Sequence, residues 1–62
     1  MGSEQHDFNW GRWIRHQRSR RGWTQQEVAN KIGATPLTVS RWERGQETPR
    51  PSFQDKLSAL FE

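Results

Sequence analysis

Two helix-start signals flank a single glycine in this chain, and together they restrict the fold more than any other feature. Thr24-Gln-Gln-Glu27 has the Thr-x-x-Glu spacing of a capping box, in which hydroxyl and carboxylate satisfy free backbone N–H groups reciprocally. Trp23 and Val28 sit at the N′ and N4 positions, where a hydrophobic staple forms. Val28, Ala29 and Ile32 then share an inward face, and Gly33 stops the helix at Ile32. Ala29 is small enough to admit a neighbouring helix closely. A second helix restarts almost at once, with Thr35 as N-cap and Pro36 at N1, where a missing N–H costs nothing. Val39 and Trp42 face inward with Glu43 beside them, and Gly45 closes the segment. The spacing predicts helices over 25–32 and 36–44, joined by a tight turn.

The flanking sequence supplies two more helices. Trp10, Ile14, Gln17, Arg18 and Arg21 recur at helical spacing, Trp13 lies on the shoulder of that stripe, and Gly22 follows. This predicts a helix over 8–21 with Asp7 or Asn9 as its cap. Residues 46–51 hold two prolines and cannot be regular helix. Beyond them Ser52 and Asp55 repeat the capping pattern in weaker form, and Phe53, Leu57, Leu60 and Phe61 give an amphipathic last helix. No segment alternates with period two, so no strand is expected. Residues 1–7 read as a disordered polar leader, Met1-Gly-Ser resembles an expression remnant, and residues 8–62 form one domain. The expected fold class is all-α, a compact four-helix bundle containing a helix-turn-helix.

Composition narrows the means of stabilisation. Only 29% of the 62 residues are hydrophobic and there is no cysteine, but four are Trp and three are Phe. A chain this short buries a modest share of its surface, and each aromatic can contribute roughly 150–250 Å². Trp10, Trp23 and Trp42 are therefore assigned to the core. Charge is uneven. Residues 8–45 carry seven Arg and one Lys against Glu27 and Glu43, a net of +6, whereas the whole chain is +3. A basic region coinciding with the helix pair is the footprint of a polyanion partner.

The helix over 36–44 places Leu37, Ser40, Arg41 and Arg44 on one face, since i, i+3, i+4 and i+7 are neighbours. Val39 and Trp42 lie opposite, anchored on Ile14, Val28 and Ile32. A major groove about 12 Å wide admits one such helix. Arg41, at mid-helix, can reach guanine O6 and N7. Leu37 and the ring of Pro36 can meet a thymine methyl. Thr35, Thr38 and Ser40 are short enough for a base edge or a phosphate. Gln25 stands at a helix N-terminus suited to phosphate, and Arg44, Gln46 and Arg50 follow the reading helix where neighbouring phosphates would lie. Phosphate contacts set register and base contacts set sequence.

Gly22-Trp-Thr-Gln-Gln-Glu-Val-Ala, Ile32-Gly-Ala-Thr and Val39-Ser-Arg-Trp-Glu-Arg-Gly, with a proline downstream, resemble the Cro/repressor-type helix-turn-helix family over residues 10–61. The resemblance implies a lambda-repressor-like all-α domain that binds double-stranded DNA as a transcriptional regulator. It implies that Gln25 contacts phosphate and that Thr35, Pro36, Leu37 and Arg41 stand at base-reading positions. It also implies that Arg18 and Glu43 pair to tie the first helix to the third. Pro36 and Leu37 depart from the polar residues common at the first reading positions, which shifts hydrogen-bond readout onto Arg41 and the hydroxyls. The family often adds a fifth helix for dimerisation, whereas this sequence stops at Glu62. A monomer or weak dimer is expected, as is an excised or engineered module.

Other classes find less support. His6 and His16 have no second ligand at metal spacing, and no serine has an adjacent base, so no enzyme, cofactor or metal site is expected. No apolar run approaches the roughly 20 residues that cross a bilayer, and no signal peptide is visible; the helix-turn-helix resemblance implies a bacterial or phage-type regulator, so a cytoplasmic, nucleoid-associated protein is expected. Trp10-Gly-Arg-Trp-Ile-Arg-His-Gln-Arg-Ser-Arg-Arg locally resembles a cationic membrane-surface helix, although such a peptide needs no internal caps. A protein-interaction module on the same fold is a third reading, against which the outward Arg41 and Arg44 weigh. Arg12, Arg15, Arg20 and Arg21 are read as a solvated face at the edge of the site.

Overall fold

The structure, a computed structural model, describes residues 8–62. The expected leader over 1–7, and Asp7 as a cap, lie outside the described residues. Four helices follow in order: α1 (Trp10–Arg20), α2 (Gln25–Ile32), α3 (Pro36–Glu43) and α4 (Pro51–Leu60), with no strand among the described residues.

Local hydrogen-bond accounting explains most helix ends. Asn9 caps α1, its Oδ1 accepting from the Arg12 N–H at 2.9 Å. The helix ends one residue earlier than the periodicity predicts. The Gly22 N–H donates to the Ser19 carbonyl and the Trp23 N–H to that of Arg18, so Arg21 leaves the helix. The capping box of α2 is complete: Thr24 Oγ1 accepts from the Glu27 N–H at 3.0 Å, and Glu27 Oε1 accepts from the Thr24 N–H at 2.7 Å. Gly33 then turns the chain at φ 78°, a left-handed conformation that glycine enters without a Cβ penalty. Thr35 caps α3, and α3 stops at Glu43 with Arg44 as its C-cap.

At α4 the sequence expectation needs correction. Ser52 does not cap the helix. It lies inside the first turn, because Pro51 occupies N1 and Arg50 serves as an N-cap without a side-chain bond. Proline's fixed φ and missing N–H suit N1, so the chain enters the helix before Ser52 is reached. Gln54 Nε2 secures this entry by donating to the Pro49 carbonyl at 2.8 Å. Pro49 itself is fully buried, and thus belongs to the core as well as to the break between helices.

The core comprises Ile14, Val28, Ala29, Ile32, Val39, Trp42, Leu57 and Phe61, drawn from all four helices and the residue after α4. Of the three tryptophans assigned to it, only Trp42 is enclosed. Trp10 and Trp23 are half-buried and pack against the cluster with Trp13 and Phe53. Indole is too large to be enclosed repeatedly in so small a domain, so the aromatics form a rim instead. Trp13 meets Trp10 at 5.4 Å and Phe61 at 5.3 Å between centroids, both edge-to-face.

α3 is held from behind by α1 and α2, and α4 packs on α2. Gly11 sets the α1–α3 approach. A Cβ there would collide with the Trp42 carbonyl oxygen and lie 3.0 Å from that of Glu43. Ala29 is fully buried, as its size suggested, but the tightest helix approach falls to Gly11.

Candidate nucleic-acid interface

The three faces of α3 are chemically distinct. Val39 and Trp42 are buried in the core. Leu37 is 54% exposed, an unusual state for a leucine in a chain this poor in apolar residues. Arg41 and Arg44 are exposed on the same outer side, and Pro36, Thr38 and Ser40 are half-exposed. The hydroxyls at the start of α3 are engaged with one another. Thr35 Oγ1 accepts from the Thr38 N–H at 3.2 Å and donates to Thr38 Oγ1 at 3.0 Å. That leaves the Thr38 hydroxyl hydrogen available to an acceptor outside the protein.

Glu43 fixes the back of α3 at the junction of three helices. Its side chain is 4% exposed. Oε2 accepts from Arg18 Nε at 2.7 Å and Oε1 from Arg18 Nη2 at 2.9 Å, a two-pronged pair. Gln25 Nε2 adds a third bond to Oε1 at 3.1 Å. Arg18 Nη1 donates to the Trp23 carbonyl at 3.0 Å, so the guanidinium also staples the turn before α2. The hydrogen bond to Glu43 raises the Arg18 pKa above its ordinary value; burial opposes this, and the charge of Glu43 reinforces it. The Arg–Glu pair expected from the resemblance is thus present and extended by Gln25.

One N–H of the Gln25 amide is given to Glu43, and the other has no partner among the described residues. It stands on the first turn of α2, beside the free backbone N–H groups of that helix end. Arg44, Gln46 and Arg50 are exposed, on the C-cap of α3, the following turn and the N-cap of α4. Arg12 and Arg15 of α1 border the same region, lining with Ser19 and Glu43 an open cleft of about 480 Å³.

Arg21 does not belong to the solvated face to which the sequence assigned it. Its Nη1 donates to Gln17 Oε1 at 2.8 Å and its Nη2 to the Phe61 carbonyl at 3.2 Å. Its guanidinium also lies over the Trp23 and Phe61 rings. It fastens the end of α1 to the end of α4, a contact between residues 40 apart that no local pattern announces.

A second unannounced contact involves Glu47, whose Oε2 lies 3.6 Å from Arg41 Nη1. Glu47 belongs to no helix face, so amphipathic spacing could not have placed it there.

Residues 11–62 match the model of a family described as a helix-turn-helix domain. The match covers α2, the Gly33 turn and α3, together with most of α1 and all of α4. The chain belongs to this helix-turn-helix domain family. Membership indicates DNA as a partner and agrees with the Cro/repressor-type resemblance. No curated protein and no solved structure matches the chain significantly. Among the described residues, no helix is long and apolar enough to cross a membrane.

Proposed function

We propose that this helix-turn-helix domain binds duplex DNA sequence-selectively, with α3 in the major groove, as a transcriptional regulator or its DNA-binding module. The observation that carries the reading is the division of α3. Val39, Trp42 and Glu43 lock one side into the domain, while Leu37, Arg41 and Arg44 are left in solvent on the other. A helix held rigidly from behind presents its reading groups at low entropic cost.

Arg41 reads guanine through its fork, Leu37 and Pro36 meet thymine methyls, and Thr35, Thr38 and Ser40 approach base edges or the adjacent phosphate. Gln25, with the N–H groups of the α2 terminus, grips one phosphate strand. Arg44, Gln46 and Arg50 grip the other side of the groove. One domain acts as a monomer or weak dimer on DNA.

Selection from random duplexes at a stated salt concentration tests the reading. Wild type should enrich a short motif containing guanine. Arg41→Ala should relax preference at one base pair by about 1–3 kcal/mol. Recovery of no motif, or of an unchanged one from the variant, defeats the assignment.

A further inference from the structure

Among the described residues, Glu47 is the one acidic group paired with Arg41. The turn after α3 brings it there. The Gln46 and Glu47 N–H groups both donate to the Arg41 carbonyl, at 2.9 and 3.3 Å, and Gly45 supplies the left-handed backbone, at φ 76°, that lets the chain double back. The loop is thus tied to the backbone of the same residue whose side chain it faces. Glu47 Oε2 and Arg41 Nη1 are 3.6 Å apart, each side chain a little under half exposed. Arg41 and Glu47 line one open cleft with Thr38, Thr48 and Arg50.

A carboxylate at the rim of a DNA-binding face weakens attraction to phosphate everywhere. Its contribution must come through something other than affinity. Guanidinium has five N–H donors, and turning one edge toward Glu47 leaves enough for a two-pronged bond to a base. Pairing restricts the rotamers of a long, otherwise free side chain before DNA arrives, which lowers the ordering cost of the correct contact. It also offsets part of the charge that would let Arg41 settle on any nearby phosphate.

We propose that Glu47 is a positioning residue for Arg41, one that raises sequence discrimination while lowering general affinity for duplex DNA. The proposal rests on Arg41 being a base reader, and its test separates the two. Dissociation constants are measured at one fixed ionic strength for the selected duplex and for a duplex altered at the base pair that depends on Arg41. The proteins are wild type, Glu47→Ala, Arg41→Ala and the double variant, with circular dichroism confirming that each is folded. Glu47→Ala should bind both duplexes more tightly and the altered one disproportionately, so that discrimination falls about two- to five-fold, the range expected of an exposed ion pair. In the Arg41→Ala background, loss of Glu47 should still tighten binding but leave discrimination unchanged. Unchanged discrimination in Glu47→Ala, or an equal fall with and without Arg41, overturns the positioning role while Arg41 stands as reader. No effect of Arg41→Ala on discrimination removes both.

Discussion

Among single residues, the Arg18–Glu43 pair is the most consequential, and its two partners are not equivalent. The Glu43 side chain is 4% exposed and that of Arg18 17%. Arg18→Ala strands a nearly enclosed carboxylate with Gln25 as its one remaining partner among the described residues, whereas Glu43→Ala leaves a guanidinium that can still turn toward water. Removing one partner of a buried pair costs about 3–5 kcal/mol, and Arg18→Ala should fall at the upper end of that range. A 62-residue domain is worth only about 3–9 kcal/mol in total. Urea denaturation followed by Trp fluorescence should find Arg18→Ala close to unfolded in water and Glu43→Ala less damaged. A raised pKa means that the stability Arg18 contributes is complete below its unfolded value and fades only as pH climbs through the folded one. No pH sensitivity near neutrality originates in this group.

At the level of helices, Gly11 inverts the usual rule. Replacing glycine by alanine inside a helix ordinarily stabilises by roughly 0.5–1 kcal/mol. Here the methyl group would enter the space held by the Trp42 and Glu43 carbonyl oxygens. Gly11→Ala should therefore destabilise by about 1–3 kcal/mol, in the manner of overpacking, and shift α3 away from α1. Chemical denaturation gives the sign, and a stabilised variant would contradict this close α1–α3 packing. Thr24→Ala removes one half of a reciprocal cap and should cost about 0.5–2 kcal/mol by the same measurement. These two positions also show what was legible. The Thr24 cap is written in four consecutive residues. Gly11 carried no signal, because what it touches lies on α3, more than thirty positions along the chain.

Over the whole molecule, electrostatics govern the expected behaviour. Basic residues concentrate around α1 and α3, while 46–62 carry a slight excess of acid. Binding to DNA should weaken linearly in log–log form as salt rises, with a slope near −0.9 for each phosphate neutralised. Arg44→Ala and Arg50→Ala should each make that slope shallower by about 1 while leaving the preferred sequence intact. Fluorescence anisotropy at several salt concentrations reads both quantities. A domain of such modest stability should also gain from its ligand, by about 2.7 kcal/mol when DNA stands at a hundred times its dissociation constant. An unchanged melting temperature under those conditions would argue against binding to the folded state.

The candidate site divides along the same physical line. Caps, turns and the sidedness of α3 depend on groups within one or two helical turns of each other, so amino-acid order alone determined them. That is why α2, α3 and the outward set Leu37, Arg41 and Arg44 could be read directly. The return of Glu47 to Arg41 is also local, made by the Gly45 turn, but it follows no helical spacing. Three further features depend on which surfaces meet once the helices dock. They are the sharing of Gln25 with Glu43, the recruitment of Arg21 to Phe61 and the burial of Pro49. Short-range hydrogen bonding is encoded by neighbours in the chain, whereas side chains brought together by packing are neighbours only in space. Tertiary structure alone decided those.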